Sequence, residues 1–202
     1  MTKLDEFEAE LRDLIRQLGN VRPFVCEGSP LDCKVFIVGF NPATEMLADF
    51  WKFWRSGIGF DRAAWFAEYK DDRQRRPLRP GKKRRPIVSN SRRVIEWIIQ
   101  EAAPIRILET NIFALPTEQA KDLNPVDRKT WPFDLLMKRV KPDIIVVHGK
   151  EAKEELRKRK ICATLIEEKH FSRGWSQADA RALGRRIKEA CGEVSRAPGT
   201  HC

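Results

Sequence analysis

Four short runs of branched apolar residues punctuate this chain, and their order leaves few folds open. They are 34–40 (KVFIVGF), 105–113 (IRILETNIF), 143–148 (DIIVVH) and 162–167 (CATLIE). Each is strand-sized and rich in branched apolar residues, which predicts buried strands. Helical patterns near 43–55, 60–70, 91–102, 131–140, 149–159 and 176–191 lie between and after them. Buried strands alternating with helices predict an α/β fold, a single three-layer αβα sandwich around a central, mainly parallel four-stranded sheet. At 202 residues the chain suits one such domain. We assign it to 1–191, including an amphipathic helix over 4–18, and expect the tail 192–202 to be frayed.

None of the apolar runs reaches the length of a membrane span, and residues 4–18 lack the pattern of a signal peptide. Five cysteines (Cys26, Cys33, Cys162, Cys191, Cys202) form an odd, scattered set with no C-x-x-C. Reduced thiols in a cytoplasmic protein are the expectation, with no metal and no cofactor. The net charge of +10 has one source. Arg73, Arg75, Arg76, Arg79, Lys82, Lys83, Arg84, Arg85, Arg92 and Arg93 stand in a stretch without a single acid. Such a localised basic arm, including the irregular excursion 71–90, suits a polyanion such as a phosphate backbone. As charge alone it equally describes a solvated linker.

In open parallel sheets ligands bind beyond the carboxyl ends of the strands, so the loops that follow the strands carry the functional information. Gly39-Phe40-Asn41-Pro42-Ala43-Thr44 follows the first strand. Asn111 and the turn Ala114-Leu115-Pro116-Thr117 follow the second, and His148-Gly149-Lys150 follows the third. His170-Phe171-Ser172-Arg173-Gly174-Trp175-Ser176 follows the fourth, with Ser176 placed to cap the last helix. Taken singly these are ordinary turns and structural histidines. In this order, over roughly residues 22–190, they resemble the uracil-DNA glycosylase superfamily.

The resemblance implies a single αβα domain that removes uracil from DNA by base flipping and water attack, acting as a monomer without a cofactor. It implies catalytic roles for Asn41, which orients the attacking water, and His170, which donates to the departing base. Asn is neutral and cannot deprotonate water, which departs from the Asp of the uracil-specific branch. Asn111 then reads the uracil edge, and Phe40 and Ala43 belong to the base pocket. Ala43 stands where that branch carries a Tyr that excludes the thymine methyl, so hypoxanthine or mismatched thymine are alternative substrates. From the aromatic crowd Phe50, Trp51, Phe53 and Trp54, Phe53 or Trp54 is expected to stack on the base, against the alternative that these rings are core. Ser89 and Ser91 resemble a phosphate-pinching loop, and Gly149 and Lys150 open a helix whose free N–H groups favour phosphate. Arg173 or Trp175 is expected to enter the groove, with Arg84 and Arg85 on the DNA backbone, single- or double-stranded. A DNA-binding protein without catalysis on the same scaffold is the remaining alternative.

Overall fold

The structure is a computed structural model that describes residues 1–19, 21–43, 46–78, 81, 83–117 and 119–194. Along the chain run α1 (Lys3–Arg16), β1 (Phe24–Val25), β2 (Val35–Gly39), β3 (Trp54–Arg55), β4 (Gly59–Phe60), α2 (Arg62–Arg75) and α3 (Asn90–Ala102). They are followed by β5 (Ile107–Asn111), α4 (Trp131–Arg139), β6 (Ile144–His148), α5 (Lys150–Arg157), β7 (Thr164–Glu168) and α6 (Gln177–Val194). The main sheet has the order β1-β5-β2-β6-β7, in which β5, β2, β6 and β7 are parallel.

The sheet has five strands where four were expected. The extra one, β1, is two residues long and pairs antiparallel with β5, Phe24 opposite Thr110 and Val25 opposite Glu109. Two residues give no periodicity to read. The expected helix over 43–55 is a second departure. Residues Phe50–Phe53 form a 3₁₀ turn capped by Asp49, and the chain passes into the β3–β4 hairpin. Tertiary burial of the aromatics overrides their helical spacing. The last helix runs three residues beyond the expected end at 191, and residues 195–202 lie outside the described part. Its start is as expected: Ser176 Oγ accepts from the Asp179 N–H at 3.1 Å, and the Asp179 carboxylate accepts from the Ser176 N–H at 3.0 Å.

The strands alternate which face each side chain enters, and this divides the core in two. Phe36, Val38, Leu108, Ile145 and Val147 pack with α1, α4 and α5 on one face. Val35, Ile37, Ile107, Ile144, Val146 and Ile166 pack with α3 and α6 on the other. The sheet is thus covered by helices on both sides. Among the described residues no helix is long and apolar enough to cross a membrane.

One buried ion pair ties α3 to the sheet. Glu109, in the middle of β5, accepts from Arg92 at 2.6 Å, and both side chains are buried. Burial opposes the Arg92 charge, yet Glu109 outweighs it and raises the Arg92 pKa above its ordinary value. Arg92 therefore does not belong with the solvent-facing basic arm, contrary to the count made from sequence. Arg22 is pushed down to about 10 by burial and by Arg92 nearby. The Arg92 guanidinium also lies 4.8 Å from the Trp65 ring centroid, so α2 is held in the same cluster.

Candidate functional site

The chain passes from β2 to β5 on one side and then returns past β2 to β6 on the other, so the sheet has a switch point between β2 and β6. Crevices form there, at the carboxyl ends of the strands. Register places Gly39 opposite Asn111, and the β2–β6 pairing ends at Val38 opposite Val147, one step before Gly39 and His148. His148 in turn stands opposite Glu168. Asn111, Gly39 and His148 thus form one lateral row, on the α3/α6 side of the sheet.

Gly39 is the gap in that row. A Cβ there would lie 2.6 Å from Asn111 Oδ1 and 3.3 Å from His148 Nε2. Any side chain would displace the carboxamide, so glycine is required by close approach and not by its backbone angles. Asn111 is half-buried, and its carboxamide makes no hydrogen bond among the described residues. Its capacity to donate and accept is unspent.

Two imidazoles border the same space. His148 and His170 meet edge to face at 5.2 Å, and His148 stacks on Phe171 at 4.2 Å. His148 is buried, which pushes its pKa down to about 3, with His170 adding to the fall. His170 is exposed, and desolvation lowers its pKa too, with Glu151 opposing and Arg173 assisting. Its Nδ1 accepts the Ser172 N–H at 3.2 Å, and Ser172 Oγ lies 2.7 Å away. Nδ1 therefore carries no proton, and the neutral ring presents Nε2–H as a donor. Gly149 makes room for this ring: its φ is +88° and a Cβ would sit 3.0 Å from His170 Cδ2. Asn90 Nδ2 donates to Ser172 O at 3.3 Å, joining the start of α3 to the His170 loop.

Asn41 stands on the β5 side of the same edge. Its Nδ2 donates to Leu115 O at 3.2 Å and to Thr117 Oγ1 at 2.7 Å, while Thr117 Oγ1 donates to Gln119 O. This chain fixes the carboxamide, and among the described residues Oδ1 accepts no hydrogen bond. Phe40 is half-buried against Phe113, ring centroids 5.0 Å apart, with the Arg128 guanidinium 5.8 Å from the Phe40 centroid. Ala43 is exposed, and Thr44 lies outside the described residues.

Several expected roles do not fit these positions. Phe53 and Trp54 are 3% and 7% exposed, in a core cluster with Phe7, Phe24, Phe50 and Phe60. They carry no face toward the row at Gly39, so Phe40 is the remaining aromatic among the candidates. Trp175 packs edge-on against Phe171 at 5.0 Å and is half-buried, which leaves Arg173 as the exposed one of the two groove candidates. Ser89 caps α3, accepting from the Arg92 N–H at 3.2 Å, and also bonds Tyr69 Oη at 3.1 Å. Ser91 is half-buried in the first turn, and Gly149 and Lys150 open α5 with Lys150 exposed.

The basic excursion is partly folded onto itself. Arg73 donates to Pro86 O, Arg85 donates to Pro77 O at 2.5 Å, and Arg75 pairs with Glu68 at 2.8 Å. Lys83, Arg84 and Arg93 are exposed without an ion-pair partner among the described residues, and Arg79 and Lys82 lie outside them. Among the described residues no group of three or more His, Cys, Asp or Glu side chains is arranged to hold a metal ion.

Sequence reasoning treated His148 as an ordinary structural histidine. The available signal was its position, the last strand residue before a glycine that opens a helix. The fold and this row define an α/β protein with a row of polar side chains at the carboxyl edge of a parallel sheet. No family model matches the chain, and no curated protein sequence matches it.

Proposed function

We propose that the protein is a DNA glycosylase of the uracil-DNA glycosylase type, which hydrolyses the N-glycosidic bond of uracil in DNA. The observation that carries this reading is the unspent carboxamide of Asn111 above Gly39, bordered by neutral imidazoles. One carboxamide accepts from the uracil N3–H and donates to O4, whereas cytosine offers the reverse pattern. As the bond breaks, the base becomes anionic, and the neutral His170 Nε2–H is a preorganised donor for it. Asn41 Oδ1 orients the attacking water toward the cationic sugar, without removing its proton. Phe40 is the base-stacking ring. Lys83, Arg84, Arg93 and Arg173 supply the positive surface for the DNA backbone.

An oligonucleotide with a single deoxyuridine tests the reading. Incubation at low salt should leave an alkali-labile site, and hypoxanthine and mismatched thymine in place of uracil rank the substrates. Intact strands with retained binding would reduce the protein to a DNA-binding module. Replacing Lys83, Arg84 and Arg93 together with Ser should lower the slope of log affinity against log salt by about 2 to 3. An unchanged slope would remove these cations from the interface.

A further inference from the structure

His148 has no part in the mechanism above, yet it is the most confined polar group at the crevice. Its Nδ1 is sealed from solvent with no hydrogen-bond partner. A buried N–H without an acceptor is the rarer and costlier arrangement, so Nδ1 is the unprotonated nitrogen and the proton resides on Nε2. Nε2 is the atom beside Gly39, next to Asn111 Oδ1. The row therefore brings an acceptor and a donor together over Gly39, both so close that a Cβ there would meet them. The ring is held by Phe171 stacked on one face and by the edge contact with His170. Nothing else in the described structure uses the Nε2–H.

We propose that His148 is a base-contacting residue, its Nε2–H donating to the uracil carbonyl O2, which flanks the N3–H that Asn111 Oδ1 accepts on the side away from O4. The proposal rests on the glycosylase reading and adds a second fixed donor to the leaving base. Negative charge spreads onto the ring oxygens as the glycosidic bond breaks, so this hydrogen bond strengthens toward the transition state. Its loss affects bond breaking more than DNA affinity.

His148→Phe keeps a flat ring against Phe171 and removes the donor, and His148→Gln restores an N–H. In single-turnover release of uracil, His148→Phe should be about 100- to 1,000-fold slower, with DNA affinity and melting temperature near those of the parent protein. His148→Gln should recover part of the loss. 5-Fluorouracil, whose fluorine stabilises the departing anion, should narrow the deficit, an effect that a packing role does not produce. A His148→Phe protein as fast as the parent overturns the proposal. A second measurement does not depend on turnover. ¹⁵N-histidine spectra of the free protein should show His148 as the Nε2–H tautomer and should change when free uracil is added. An Nδ1–H tautomer, or no change at any uracil concentration, overturns the proposal. Intact uracil strands together with a uracil-responsive His148 would sink catalysis while leaving the base contact standing.

Discussion

Two ring clusters in this protein differ in size and in chemistry. Around Phe24 the rings of Phe7, Phe50, Trp54 and Phe60 stand with centroids 5.1 to 6.3 Å away. Around His148 stand Phe171 and His170, at 4.2 and 5.2 Å. The first cluster closes the space between α1, the edge strand β1 and the β3–β4 hairpin, and its ring nitrogen, Trp54 Nε1, is buried without a hydrogen-bond partner among the described residues. The second lies over Gly39, where the His148 ring nitrogens and the Asn111 carboxamide have no hydrogen-bond partner among the described residues. Buried polar groups are normally paired, and in the second cluster the unpaired groups of two strands meet over Gly39, whereas Trp54 Nε1 in the first stands alone. Aromatic density marks only a place for packing.

The sharpest way to break this comparison is to exchange the expected outcomes of mutations in the two clusters. Phe53→Ala, in the sealed cluster, should cost about 3 to 5 kcal/mol of stability by chemical denaturation. Uracil release per folded molecule should not change, and a selective loss of activity would return Phe53 to the base pocket. Gly39→Ala should do the opposite. Its Cβ meets Asn111 Oδ1 at 2.6 Å, so activity should fall at least about 100-fold while the melting temperature stays within a few degrees. Equal activity would mean that Asn111 does not read the base.

A smaller effect is expected from pH. The folded protein keeps His148 neutral down to about pH 3, while the unfolded chain binds a proton below the ordinary histidine value near 6.5. Stability from this residue is thus complete above pH 6.5 and is lost as pH falls toward 3. Between pH 6.5 and 5 the loss should be roughly 2 kcal/mol, and His148→Phe should flatten that part of the curve. His170, whose pKa is also lowered, contributes in the same direction. A curve unchanged by His148→Phe would show that this ring is not the group that resists protonation.

The four long strands and most helices were legible from the chain because their signals are local, but β7, expected to be buried, is an edge strand in which only Ile166 is buried. Val35–Gly39 and Ile144–His148 read as buried strands from branched apolar residues alone, and Ser176 was readable as a cap. The rule that ligands sit at strand ends directed attention to Asn41, Asn111 and His170, all of which lie at that edge. The aromatics at 50–54 misled because helical spacing cannot distinguish a helix from a turn whose rings are drawn into a core. Arg92 misled because a guanidinium in a basic run looks solvated until Glu109, 17 residues away, is known to lie against it.

What the amino-acid order determined by itself was the alternation of buried strands and helices, the place of the glycines and the polar residues that end each strand. These follow from propensity and burial pattern, which act over a few residues. The tertiary structure alone decided that β2 lies between β5 and β6. That neighbourhood sets Asn111 and His148 on either side of Gly39, and it buries one histidine while leaving the other exposed. Such pairings depend on contacts between segments tens of residues apart, for which local pattern carries no information.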